Sequence, residues 1–523
     1  MWRSIRASRS GRRAWAASLA ALPIAEATAH AFGVRYDLPL PLSLWLAAAG
    51  ATVGVSFLVF ALVLRRGAAG AAYARLDLLR LPLGRALAYP LALAVLRIMS
   101  IALFVGLIAA GLFGNQDSYR NLAPAFVWIV WWVGFAYLSA LVGDLWALVN
   151  PWKVLYRWGE AIARASRPAS DPGPRRRLPP GVGVWPAAAL LLAFVWIEIL
   201  WDGNAVPANI ARLALGYSVL TWAGMYLFGR EAWLRSGEVF AVFFGLLARL
   251  APTEVRVRDA GACAACSARR CRAAPGECVN CYECYERAAP ATREWNLRPP
   301  AAGLLDPQPA SVSTAAFVVV MLATVAFDGV RETPLWAGLL ARLSRAGEPL
   351  ADSVWYASGT VGLLLMPCLF AVVIVATCAV MARLTRADPR PGSAGELTRL
   401  FVPTLLPIAF AYHLAHYLSY LLVAGQVVIP LASDPFGWGW NLFGTARYKV
   451  DAGLVGARFA WYASLIVIVL GHVVAMYVAH RLALARFADP RIARRSQYPL
   501  AALMVAYTML SLWILAQPIV EAR

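Results

Sequence analysis

Six cysteines between Cys263 and Cys284 form the densest reactive cluster in the 523-residue chain. Cys263, Cys266, Cys271, Cys278, Cys281 and Cys284 follow the order C-x2-C-x4-C-x6-C-x2-C-x2-C. A C-x2-C pair lets two thiolates reach one metal ion from a tight turn, and two such pairs can close a tetrahedral site. Zinc held by Cys263, Cys266, Cys278 and Cys281 is one reading. An iron–sulfur cluster is another, because residues 278–284 have the C-x2-C-x2-C spacing of cluster ligands. The fourth ligand of such a run would stand at position 288, where the residue is Ala288, so it would have to come from upstream.

Histidine is the second signal. His413 and His416 are three apart in AYHLAHYLSYLL and share a helix face. His472 stands in the middle of the next apolar segment, VLGHVVAMYVAH. Antiparallel helices would bring all three imidazoles to one depth, where they could hold zinc, copper or iron. A facing pair such as His413 and His472 could hold haem. The plainer reading is that these rings hydrogen-bond helices together. His480 sits nearer the inner end and reads as structural. Carboxylates stand close by in the sequence pattern: Glu198 and Asp202 are four apart in VWIEILWDGN, and Asp328 ends another apolar run. Asp202 or Asp328 could ligate a metal or take a proton from bound water, as could Asp117 or Asp434; helix capping or solvation is the competing role for each. Arg97 and Asp144 read as an ion pair between two helices, or as part of a proton or anion path.

The elements that must position these groups are transmembrane helices. The chain is 61% hydrophobic and 15% charged, against about half and about a quarter in soluble domains. The excess falls in blocks about 20 residues long, the length a helix needs to cross a bilayer. The fold class is therefore an all-α, polytopic membrane helix bundle with about ten spans. They are expected at 40–64, 86–113, 126–149, 183–201, 211–228, 311–327, 355–382, 400–424, 460–483 and 498–517. Residues 30–228 would hold the first five helices, 229–300 a cysteine-rich insert, and 301–523 the last five. Residues 1–29 read as a secretory signal peptide with a basic start and an Ala27-Thr28-Ala29 cleavage site, or as an uncleaved anchor. Cleavage would make His30 the first residue, with amine and imidazole free for a metal.

Lys and Arg concentrate in loops 65–85, 150–182, 229–300, 383–399 and 481–497, which carry about three times as many as the opposite loops. This places the cysteine insert in the cytoplasm and both mature termini outside a bacterial cytoplasmic membrane. The net charge of +20 is thus a topology signal and not a nucleic-acid surface. In that reducing compartment disulfides are disfavoured. The apolar segment 236–250 is expected to lie in the membrane interface, and loop 165–182 to be disordered. Trp438 and Trp440 in SDPFGWGWNLFG suit an aromatic lid at the outer interface. The insert has no P-loop and no dinucleotide fingerprint, which argues against nucleotide-driven chemistry. No G-x-S-x-G motif stands near the histidines.

The segments AHAFGVRYDLPLPLSLWL, GNQDSYRNLAPAFVWIVWWVGFAYLSALVGDLWALVNPW, AYHLAHYLSYLL and SDPFGWGWNLFGT resemble bacterial membrane proteins called fenitrothion hydrolases. Residues 115–152 are the most specific part, and the cysteine insert lies outside it. The resemblance implies hydrolysis of an organophosphorus triester, with a small lipophilic substrate as partner beside the lipid bilayer. Activation of water by a metal on His413, His416 and His472, with Asp202 or Asp328 as base, would suit that reaction. The alternatives are a membrane electron-transfer protein, with a cytoplasmic iron–sulfur site and intramembrane haem or copper, and a metal transporter.

Overall fold

The computed structural model describes residues 35–64, 73–166, 176–179, 181–264, 266, 271–274, 276–343 and 351–521. The expected signal peptide, His30 and part of loop 165–182 lie outside the described residues. The chain is mostly helical. The principal helices are α1 (Leu42–Val63), α2 (Pro90–Phe113), α3 (Leu122–Leu141), α4 (Trp185–Ile199), α5 (Pro207–Phe228) and α6 (Val239–Leu247). They are followed by α7 (Val312–Arg331), α8 (Asp352–Leu384), α9 (Leu406–Ala424), α10 (Ala457–Arg486) and α11 (Tyr498–Ile519). Among the described residues, eight helical stretches are long and apolar enough to cross a membrane: α1, α2, α3, α7, α8, α10, and those containing α9 and α11. The other two expected spans are helical as well, but α4 has only 15 residues and α5 falls outside the apolar set.

Burial sorts these helices by what they face. In α7, 83% of the apolar stretch is buried, against none of α2 and 17% of α8. The α7 helix is therefore the hub, packed against α4, α8, α9 and α11. The rims of α2 and α8 present exposed Leu91, Val105, Val361 and Val372 instead, the outward apolar surface of a lipid-facing helix. Gly471 of α10 sits tightly against Pro407 and Ala411, which is why α9 and α10 approach closely. The α3 helix opens into wide π-type turns over Phe126–Gly134, a local widening often met at functional sites. It stops at Leu141, short of the expected end at 149, and the chain turns before a short helix at Trp146–Val149.

The cysteine insert is a small mixed unit. Five strands pair antiparallel in the order β2 (Leu76–Asp77), β6 (Arg293–Leu297), β3 (Thr253–Arg258), β5 (Glu277–Val279) and β4 (Arg272–Ala274). Separately, β1 (Tyr36–Asp37) pairs parallel with β7 (Val520–Glu521). The segment 236–250, expected at the interface as an amphipathic or half-buried helix, is more enclosed than that. Helix α6 is buried in the bundle, with Phe240, Phe243 and Phe244 packed against Trp131, Trp132 and Phe135. Its start is fixed by buried Glu238, which accepts from the N–H groups of Phe240 and Ala241, from Tyr217 Oη and from Asn150 Nδ2. A helix that is apolar on every side is buried by the same hydrophobic logic that would place it in an interface.

Candidate functional site

The cysteines converge. Asp259 caps the turn Ala260–Ala264, its Oδ1 accepting from Ala262 N at 3.0 Å, and this turn carries Cys263. Cys278 lies on β5 opposite Val257. Asn280 then adopts φ 53° and donates its N–H to Val255 O at 2.8 Å. Asparagine tolerates this left-handed conformation. The reversal sets Cys281 just before the short helix Tyr282–Arg287, which presents Cys284 one turn on. Cys266 Sγ lies 3.6 Å from both Cys271 Sγ and Cys281 Sγ, and Cys271 Sγ lies 3.5 Å from Cys278 Sγ. The ligating atoms of Cys266, Cys271, Cys281 and Cys284 all fall within 4.8 Å of one another, as do those of Cys263, Cys278 and Cys284. Both groups could hold a metal ion. Burial and the neighbouring Cys263 push the Cys278 thiol up to about 11.

Charged pairs lock this nest in place. Arg256 grips Glu277 through two bonds of 2.7 Å across β3 and β5. Glu283, beside Cys284, accepts from Arg235 at 2.6 Å and pairs with Arg287 at 2.9 Å. Glu286 faces Lys153 at 3.2 Å, Arg157 at 2.8 Å and Arg97 at 3.7 Å. Burial alone would raise the Glu286 carboxyl, but Lys153, Arg157 and Arg97 hold it below its ordinary value. The expected Arg97–Asp144 pair is not made. Because α3 ends early, Asp144 turns to cap the Trp146–Val149 helix, accepting from Ala147 N at 3.1 Å, and Arg97 reaches the cysteine unit instead.

A second polar cluster lies inside the bundle. Asp328 Oδ2 is 3.0 Å from His416 Nε2 and accepts from Tyr417 Oη at 2.6 Å, and Arg331 stands 3.7 Å from Oδ1. Glu198 is 4% exposed and accepts from Trp132 Nε1 at 2.8 Å. Glu198, Asp328, His413, Tyr417 and Thr324 line one cavity of about 30 Å³ between α3, α4, α6, α7 and α9, with Phe243 and Leu247 among its apolar walls. That volume has room for about two water molecules. His413 is buried, and neither of its ring nitrogens has a hydrogen-bonding partner among the described residues.

The three histidines do not share a site. His413 packs on Trp132, Tyr137 and Tyr417. His472 faces Tyr507 and bonds Ile468 O through Nδ1 at 2.9 Å. Among the described residues, the only groups of three or more His, Cys, Asp or Glu with ligand atoms within 4.8 Å are the two built from cysteine. Shared depth on antiparallel helices leaves the azimuth of each ring open, and that decides convergence. Asp202 also departs from expectation. Helix α4 ends at Ile199, so Asp202 turns outward to accept from Tyr356 Oη at 2.9 Å, while Glu198 stays inside. Asp117 and Asp434 organise their own loops, Asp434 accepting from the N–H groups of Trp438 and Gly439 beside the packed rings of Phe436, Trp438 and Trp440. His480 bonds Gln497 Oε1 at 3.1 Å, as a structural histidine does.

Sequence reasoning passed over Tyr417, Trp132, Arg331 and Glu286. Tyr417 was within reach, since positions 413, 416 and 417 share one helix face. The other three depend on long-range packing. Fold and sites together define a multi-pass membrane-type helix bundle bearing a cysteine cluster that could hold metal. No protein-family model, curated protein or solved structure matches the chain.

Proposed function

We propose that this chain is an integral membrane hydrolase of the bacterial cytoplasmic membrane. In this reading the reacting centre is the buried cavity of His413, Asp328 and Glu198, and the cysteine unit is a cytoplasmic structural zinc module. The observation that carries the reading is His413, a buried imidazole without hydrogen bonds among the described residues, set beside two carboxylates around a space the size of one or two waters. An ionisable cluster inside a span is expensive and is retained for function. His413 can take a proton from a water in the cavity, while Asp328 orients His416 and Tyr417 at its edge. The apolar surroundings suit a lipophilic ester presenting its reacting group from the bilayer, and the resemblance of residues 115–152 supplies the phosphotriester class. The cavity is far below the few hundred Å³ that a whole drug-sized ligand fills, so only the reacting group would enter. The same volume and the separated histidines speak against a haem at His413 and His472.

Zinc fits the cysteine nest better than a cluster does. Tetrahedral bonds of about 2.3 Å give sulfur–sulfur edges of about 3.8 Å, close to the 3.5–3.6 Å contacts here. An iron–sulfur cluster interposes its own irons and sulfides and spreads thiolates on different irons farther apart. A zinc site closed by four thiolates has no open position and supports folding, which removes the main support for electron transfer.

The test is hydrolysis of a nitrophenyl phosphotriester by the full chain in nanodiscs. His413→Leu is expected to lower turnover by a factor of about 10²–10⁴, with a chelator matched to zinc lowering folded yield but not turnover per folded molecule. Unchanged turnover in His413→Leu, or no hydrolysis by the intact protein, overturns the reading.

A further inference from the structure

We infer that the cysteine nest holds two metal ions bridged by Cys271 and Cys284. This rests on the metal-binding reading of the nest and sharpens it. One ion at Cys266, Cys271, Cys281 and Cys284 would leave Cys263 and Cys278, which are 2% and 1% exposed, as buried thiols with no role. Those two instead form a second group that shares Cys284 with the first. Cys271 also stands between the groups: its Sγ is 3.6 Å from Cys266 Sγ in the first and 3.5 Å from Cys278 Sγ in the second. Two tetrahedral ions need eight thiolate positions, and six cysteines fill them only if two sulfurs are each shared. Cys284 belongs to both groups, and Cys271, 3.5 Å from Cys278 Sγ, is the other sulfur of the first group in contact with the second. One ion would then take Cys266 and Cys281 as its terminal ligands, the other Cys263 and Cys278. Six thiolates around two divalent ions carry a net charge of −2. Arg235, Arg256, Arg287 and Arg293 border the unit through the pairs that fix Glu283, Glu277 and the Ala288 carbonyl. Thiolate ligation, the absence of carboxylate or imidazole donors from both groups, and the near-tetrahedral spacing select zinc or another soft divalent ion.

The experiment is metal analysis of the full-length protein purified in detergent, followed by stepwise replacement with Co²⁺ read by thiolate charge-transfer absorption and electron paramagnetic resonance. Two zinc ions per chain are expected, with a cobalt signal that grows to the first equivalent and shrinks at the second as bridging sulfur couples the spins. Cys263→Ser is expected to reduce the ratio to one while keeping the first ion, and Cys378→Ser, outside the nest, to leave it at two. One ion per chain, unaffected by Cys263→Ser, overturns the bridged pair but leaves the single zinc site standing. No tightly held metal, or iron with sulfide, overturns both. The wild-type ratio is decisive even if the variants fail to fold.

Discussion

The sharpest test of the buried cluster compares two substitutions only a few side chains apart, His413→Leu and Asp328→Ala. Asp328 is the hub of its contacts: His416 Nε2 at 3.0 Å, Tyr417 Oη at 2.6 Å and Arg331 at 3.7 Å. Removing it strips two interhelical hydrogen bonds, each worth roughly 0.6–1.7 kcal/mol within a bilayer. It also leaves the Arg331 guanidinium without its carboxylate, a loss that reaches about 3–5 kcal/mol for fully buried pairs. Arg331 is 13% exposed in its side chain, so the total should fall near 3 kcal/mol, or about a hundredfold in the unfolding equilibrium. Among the described residues His413 has no hydrogen-bonding partner to lose, and leucine fills a similar volume. His413→Leu should therefore sit within about 0.5 kcal/mol of wild type, or gain up to about 1 kcal/mol by removing buried polar nitrogens. Reversible unfolding in mixed micelles measures both, alongside phosphotriester turnover. The expected pattern is stability lost in Asp328→Ala, kept in His413→Leu, and turnover lost in both. If His413→Leu destabilises the protein as much as Asp328→Ala, the imidazole is a structural tie and the assignment of a base fails.

Other consequences can be checked independently. Glu286→Gln removes the anion facing Lys153, Arg157 and Arg97; we expect a cost of about 2 kcal/mol and several-fold faster proteolysis or amide exchange across 253–297, with the metal content unchanged. Asp388, between spans, accepts from the backbone N–H groups of Asp489, Arg390 and Ala488. Burial would raise this carboxyl, but those three donors hold it below its ordinary value. Its contribution is thus full above the unfolded carboxylate value of about 3.9 and is lost as pH falls through the lower folded value; an Asp388→Ala protein should show a shallower loss of stability on acidification than wild type. Gly471→Ala places a methyl group against Ala411 and Pro407 O, and should cost about 1–3 kcal/mol by forcing α9 and α10 apart, read as a lowered unfolding midpoint.

Much of the architecture is legible in the sequence because lipid imposes a length and a polarity on each span. All ten expected segments are helical, and the departures have local causes. The end of α3 at Leu141 follows from a turn that composition does not mark, since residues on both sides are apolar. Burial of α6 is invisible for the same reason: FAVFFGLL reads alike on an interface and in a core. That the cysteines gather was readable, since short spacings restrict where thiols can go, but the expected set of Cys263, Cys266, Cys278 and Cys281 is divided: Cys266 and Cys281 group with Cys271 and Cys284, and Cys263 and Cys278 with Cys284. The histidine site was only half readable. Helical spacing joins His413 to His416, yet whether His472 joins them depends on the rotation of α10. In the structure Gly471 meets α9 at Pro407 and Ala411, and the neighbouring His472 faces Tyr507. Glu198 and Asp202 separate because the helix they were expected to share stops between them.

The two sites belong to one mechanical unit. Helix α6 supplies Phe243 and Leu247 to the cavity wall and ends at Leu247, and β3 of the cysteine unit begins at Thr253. Arg298 spans the junction: its guanidinium, fully buried, donates to Ala248 O, Arg249 O and Ala251 O at 3.1–3.3 Å and to Glu254 at 2.9 Å. Glu254 in turn accepts from Tyr73 and Arg75, which brings in the strand at Leu76–Asp77. A buried cation with four acceptors arranged about it cannot be half satisfied without a large cost, so the last turn of α6 and the sheet hold their relative position together. Metal binding contributes free energy to whatever it orders. A metal held by the cysteine cluster would order β5 and the Cys281–Arg287 segment, which the Arg256–Glu277 grip ties to β3. It would thereby stabilise the frame that holds one wall of the His413 cavity, and under the proposed function this gives a metal module that takes no part in the chemistry a reason to be kept.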